Sequence, residues 1–273
     1  YSTVQADARF DWRDGKFETS VEIAGDPIAD RNAPPLAAKL RGHGASESLT
    51  VESLAIDIPG VTAGLSAPVV IDRSGKMAGD VSHFSLAVDL EKQPWFTAKG
   101  LVSGAVELTP RAGTAPLITA VLRAQDIALR DWTMARFGAT AELDWPRLTV
   151  KHAELGFAEG GQLAVKGEWN AVTKKVSDGV VEGVVRPSLV SRWMPPAWGF
   201  ESVAISAKAS GTLAELVHEG KAHVIALAVP KIRPLAADVA WHGTGLAVTV
   251  DDARLQAGES QLALAGTVER NGA

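Results

Sequence analysis

Residues Leu246 to Val268 read LAVTVDDARLQAGESQLALAGTV, with apolar residues recurring at every second position. Leu246, Val248 and Val250 point one way, and Ala247, Thr249 and Asp251 the other. Beyond Gly258, Leu262, Leu264, Gly266 and Val268 share a face opposite Gln261, Thr267 and Glu269. A period of two marks a β-strand with one covered face. Leu148 to Trp169, LTVKHAELGFAEGGQLAVKGEW, has the same texture. With Leu148 set on Leu246, Val150 falls on Val248, Leu155 on Ala253 and Phe157 on Leu255. After one extra turn residue, Leu163 and Val165 match Leu262 and Leu264, and Gly167 matches Gly266. The unit is therefore expected to be two strands, a Gly-rich turn and a strand carrying a glycine. A tryptophan, Trp145 or Trp241, precedes each copy, and a shorter copy starts at Leu49 with Val51, Ile56 and Ile58. The repeats lie near 49–71, 148–170 and 246–269.

The alternation extends outward through Phe17 to Ile23, Leu36 to Leu40, Leu49 to Ile58, Phe84 to Leu90 and Val203 to Ala209. Asp14-Gly15, Pro59-Gly60, Gly160-Gly161 and Gly243-Thr244-Gly245 punctuate it as turns. One short helix is expected near 188–194, entered at Pro187 and stopped by Pro195-Pro196. No long polar linker separates two cores, so residues 1–273 are expected to be one continuous all-β segment. A repeat of short strands suggests a solenoid or an elongated curved sheet.

Composition narrows the function classes. The 273 residues are 46% apolar and include 26 glycines. Together these make about 55%, above the roughly 45–50% of ordinary soluble chains, which excludes disorder. Zero cysteines exclude a disulfide scaffold and Cys-ligated metal centres. A net charge of −5 offers nucleic acid no attractive field. No apolar run reaches the eighteen residues that would mark a transmembrane helix. The chain starts at Tyr1, with no signal peptide in view.

Catalytic constellations are missing. His43, His83, His152, His218, His223 and His242 form no metal-spaced pair and read as solvated strand-face residues. There is no nucleophile elbow, Walker loop or dinucleotide fingerprint, so neither an enzyme nor a cofactor is implied. Asp251-Asp252 reads as a charged strand terminus. Core packing is the first expectation for most of Trp12, Trp95, Trp132, Trp145, Trp169, Trp193, Trp198 and Trp241. An apolar ligand surface edged by indoles is the alternative.

Ala207 to Val229, AKASGTLAELVHEGKAHVIALAV, followed by the 246–268 strands, resembles the translocation and assembly module TamB and its AsmA-like relatives. Gly211-Thr212-Leu213 and Gly220 match that family's strand-introducing phrase, with Leu216-Val217 where a proline is common. Arg192-Trp193-Met194-Pro195 resembles its short helical insertion. The resemblance implies an internal fragment of a periplasmic bridge whose inner-membrane anchor lies outside this chain. It implies a β-taco, a lengthwise-curled sheet with an apolar trough, and phospholipid acyl chains as cargo. Some eighteen strands at roughly 4.8 Å would stack to about 85 Å. The trough would be lined by Leu148, Val150, Leu155, Phe157, Leu163, Val165 and Trp169. Leu246, Val248, Val250, Leu255, Leu262, Leu264 and Val268 would continue it. The other role the resemblance offers is a scaffold for outer-membrane β-barrel or autotransporter assembly with an Omp85-type, TamA-like partner.

Overall fold

The computed structural model describes residues 2–27, 35–93, 97–111, 114–129, 132–190, 194–195, 197–212 and 214–269, apart from the side chains of Trp132, Val268 and Glu269. The protein is all-β: 75% of it is strand, the sheet is antiparallel, and it is not closed on itself. Two units divide the chain, Tyr1–Trp145 and Pro146–Ala273.

The first unit holds β1 (Thr3–Arg13), β2 (Lys16–Asp26), β3 (Leu36–Ala45), β4 (Ser48–Ile58), β5 (Val61–Leu65), β6 (Val69–Asp72), β7 (Met77–Ala78), β8 (Ser82–Asp89), β9 (Ala98–Thr109), β10 (Leu117–Leu129) and β11 (Trp132–Asp144). Strands β1 to β4 pair in chain order. β4 then serves two partners, β6 along Ser48–Val51 and β5 along Ala55–Ile58. β5 hands on to β8, and β8 to β11 pair in order. The expected strand 84–90 ends one residue early, because the Asp89 carboxylate accepts from the Glu91 amide and opens a 3-10 turn over Leu90–Lys92.

The second unit is a meander of β12 (Arg147–Phe157), β13 (Gln162–Asn170), β14 (Lys175–Val185), β15 (Ser202–Thr212), β16 (Leu216–Leu227), β17 (Leu235–Thr244), β18 (Ala247–Ala257) and β19 (Ser260–Glu269). Each strand pairs with the next. The helix expected over 188–194 is the single turn α1 (Pro187–Val190), and residues 191–193 lie outside the described ones.

Turn chemistry sets the local registers. Arg13 pairs with Lys16 across Asp14-Gly15, both at positive φ (53° and 75°), the two-residue hairpin geometry that follows strand twist. Pro59-Gly60 joins Ile58 to Val61, with Gly60 at φ 78°.

Every even strand from β10 to β18, and β4 as well, carries an extra residue, central in β4, β12 and β18 and near one end in β10, β14 and β16. The registers slip at 51–53 in β4, 125–128 in β10, 150–153 in β12, 176–179 in β14, 224–227 in β16 and 250–253 in β18. Each slip sits in an apolar-x-x-apolar phrase, for example Val150-Lys151-His152-Ala153 and Val250-Asp251-Asp252-Ala253. Such bulges bend a strand and raise its twist while keeping the flanking apolar residues on one face. Asp126, Asp178 and Ala226 take left-handed φ of 52°, 49° and 55° at three of them.

The bulges correct three expectations. The two strands expected at the start of each repeat are one long bulged strand. Val150 pairs with Gly167 and Ala153 with Val165, just as Val250 pairs with Gly266 and Ala253 with Leu264. Val150 thus corresponds to Val250 rather than Val248, and Leu155 to Leu255. Asp251-Asp252 stands in mid-strand, not at a terminus.

The sheet has little interior. Among the described residues the buried apolar side chains are Val69, Ala124, Ala153 and Ala237. Accessible surface is 17698 Å². Two separate compact bodies of half the chain's mass would expose only about 13,600 Å² together.

Candidate apolar binding face

Directly opposed residues of an antiparallel ladder project to the same face, so the registers sort every strand residue. One row of the second unit crosses all eight strands: Leu155, Leu163, Gly183, Ile205, Ala222, Val239, Ala253, Leu264. The adjacent row runs Ala153, Val165, Val181, Ala207, Gly220, Trp241, Val250, Gly266. In the first unit, Ala6, Ile23, Ala38, Ile56, Ala63, Leu86, Gly104, Leu122 and Ala139 form a row over nine strands. All three rows are apolar throughout. Most of these side chains are half-buried, and Leu264 is 51% exposed.

Leu148, Val150, Leu155 and Phe157 on β12, and Leu163, Val165 and Trp169 on β13, lie on this face. So do Val248, Val250 and Leu255 on β18 and Leu262 and Leu264 on β19. Val268 pairs with Val248 through the backbone, and its side chain lies outside the described residues. Leu246 does not join them: with Gly245 it forms the two-residue turn between Thr244 and Ala247, and it is 69% exposed. Periodicity cannot tell the last residue of a turn from the first of a strand.

Core packing fails for the tryptophans whose side chains are described, which excludes Trp132. Trp12, Trp145, Trp169 and Trp198 are exposed and Trp241 is half-buried; Trp95 and Trp193 fall outside the described residues. Trp12, Trp169 and Trp241 lie on the apolar face instead. At the β1 end, Phe17 stacks between Phe10 and Trp12, with centroids at 5.1 and 5.9 Å. Large rings on this face rest on opposed glycines: Phe17 on Gly44, Trp241 on Gly220 and His218 on Gly243. That pattern is invisible in sequence, because each pair joins different strands.

The opposite face is polar, with charge pairs across strands and, for Arg254–Asp252 and His152–Glu154, along a single strand. Lys39 meets Glu22 at 3.4 Å, and Arg254 meets Asp252 at 2.9 Å. His43–Glu52 (2.9 Å), His223–Asp238 (2.6 Å) and His242–Asp251 (2.7 Å) are closer pairs, while His83–Glu107 (3.9 Å) and His152–Glu154 (3.3 Å) are looser. Exposed pairs of this kind contribute about 0–1 kcal/mol each. An open hollow of about 550 Å³ lies there among Arg9, Asp11, Glu18, Arg41, His43 and Glu52. Its charges are of mixed sign, and no group of three metal-type ligands occurs among the described residues. At the β6 end, Ser74 Oγ donates to the Asp72 carboxylate, and the Lys76 and Ser74 amides add to it; together they hold that carboxyl below its ordinary range.

No family model, curated protein or solved structure matches the chain.

Proposed function

We propose that this chain is a periplasmic segment of a TamB/AsmA-like bridge protein that carries phospholipid between the inner and outer membranes, its apolar face holding the acyl chains. The supporting observation is the set of uninterrupted apolar rows, left half-exposed with almost no interior beneath them. A soluble monomer rarely exposes a contiguous apolar patch beyond a few hundred Å², so a face of this extent calls for an occupant. Eight strands in the second unit, spaced about 4.8 Å, stack to about 34 Å. That is near the roughly 30 Å of a bilayer's hydrocarbon core, enough for two acyl chains end to end. Each methylene moved from water onto the face contributes about 0.8 kcal/mol. A chain can slide along equivalent rows while its headgroup stays in water, and no chemical step is needed.

Mass spectrometry of lipids extracted from the purified chain tests this. Copurifying phospholipid, lost in the double variant Leu163→Asp with Leu262→Asp, is the expected result. A lipid-free protein would count against carriage. The alternative is a scaffold for outer-membrane barrel or autotransporter assembly with a TamA-like partner. It draws on β1 and β19, each of which pairs along one edge among the described residues, since a free edge can template a client strand. Crosslinking of β1 to nascent barrel strands by the lipid-free chain would favour it.

A further inference from the structure

Among the described strand residues that the registers place on the apolar face, one side chain is titratable. It is His218 on β16, opposed by Ala209 on β15 and Gly243 on β17. The other five histidines each face a carboxylate on the polar side. His218 makes no hydrogen bond or ion pair with a described residue, although it is half-buried. Its imidazole lies over Gly243, where an added Cβ would sit 2.6 Å from Cε1 and 2.9 Å from Nε2. Beside it on this face are Ala209, Gly211, Gly220 and Gly243, with Leu216 two residues before it on β16 and Trp241 and Val248 beyond the glycines. The ring is half-buried and neither nitrogen is a buried unpaired atom, so both remain open to solvent and to the polar group of a ligand lying on this face.

We infer that His218 receives the carboxyl group of a long-chain fatty acid whose alkyl chain runs over the apolar rows. This rests on the acyl-chain-carrying face proposed above and extends its cargo from phospholipid to a free fatty acid. One imidazole offers one donor or one acceptor per ring nitrogen, which matches a single carboxyl group in either protonation state. A phosphodiester headgroup keeps its charge and takes several donors, and among the described residues the registers place no lysine or arginine beside His218 on this face. The small neighbours leave room for a carboxyl beside the ring, and Trp241 flanks the first methylenes.

Displacement of a fluorescent fatty-acid probe from the full 273-residue chain tests the assignment, with oleate and methyl oleate as competitors. Wild type should prefer oleate about tenfold, the size of one hydrogen bond to a charged group. His218→Leu, an apolar residue on an apolar face, should erase that preference and leave methyl oleate unchanged, while His218→Lys should restore it. Equal preference in wild type and His218→Leu would overturn the role of His218 alone. Failure of both competitors and the probe to bind wild type would overturn the lipid function beneath it.

Discussion

The indole of Trp241 lies across Gly220, its directly opposed neighbour one strand away: a Cβ built on Gly220 would meet Cη2 at 2.6 Å and Cε2 at 2.9 Å. The glycine gives up its own side chain so that a large ring can lie flat and cover two positions. Gly44 under Phe17 repeats the arrangement in the first unit. In a sheet with no second layer, lateral covering of this kind replaces a core.

Gly220→Ala should therefore lower stability by about 1–3 kcal/mol, the usual cost of forcing extra volume under a packed group. Gly266→Ala is the matched control, because its Cβ would meet nothing within 4 Å. It should be neutral or gain about 0.4–1 kcal/mol by narrowing the unfolded ensemble. Urea denaturation of the two variants decides between them. Equal losses at both sites would show that the indole contact is irrelevant.

At the bulges, left-handed backbone should make stability depend on residue type. Ala226 at φ 55° has a Cβ that is disfavoured there, so Ala226→Gly should gain roughly 0.5–1 kcal/mol. Asp178 at φ 49° tolerates the conformation better than a β-branched residue, and Asp178→Val should lose about 1–2 kcal/mol. Thermal melts read both, and opposite signs are the expected outcome.

Face assignment predicts opposite effects from neighbouring substitutions on β19. Leu262 lies on the apolar face and is 54% exposed, while Ala263, paired with Arg254, is on the polar one. Leu262→Asp should leave the melting temperature within a few degrees yet weaken binding of an acyl-chain probe about tenfold, as buried methylene contacts are lost. Ala263→Asp should change neither. Probe titration with circular dichroism as the folding check distinguishes them.

Acid should loosen the β6–β7 turn. The Asp72 carboxyl is held below its ordinary range by Ser74 and by the Lys76 amide, so its folded value lies under its unfolded one. The contribution is present above the unfolded Asp range and is lost as pH falls through the folded value. The protection factors of the Ser74 and Lys76 amides, taken against the intrinsic rate at each pH, should fall on acidification, and Asp72→Asn should show that low protection at neutral pH. Unchanged exchange in Asp72→Asn would remove the carboxylate from the turn's support.

Much of the fold is legible locally. Period-two alternation needs only the pleat, and Asp14-Gly15 needs only the handedness of strand twist. The second hairpin strands correspond as alternation suggests, Leu163 with Leu262 and Gly167 with Gly266, because a glycine turn fixes their phase. The first strands correspond two residues further on than alternation suggests, Val150 with Val250. Periodicity passes smoothly over Lys151-His152 and Asp251-Asp252, where two consecutive polar residues are the only sign of a bulge. Val-x-x-Ala at the centre of an alternating strand is the signal that would have found them.

By itself, then, the sequence determined an all-β chain, since alternation is a property of each strand alone, and it assigned a common face to the residues of β12, β13, β18 and β19 that it named, Leu246 excepted. The open sheet was decided by the tertiary structure, through which strand stands beside which and in what register. The same pairing gave β4 its two partners, laid Trp241 over Gly220, and set His218 apart from the five histidines that found carboxylates. Register is fixed by the sum of cross-strand contacts and turn geometry, and a single strand carries no record of which residue will stand opposite it.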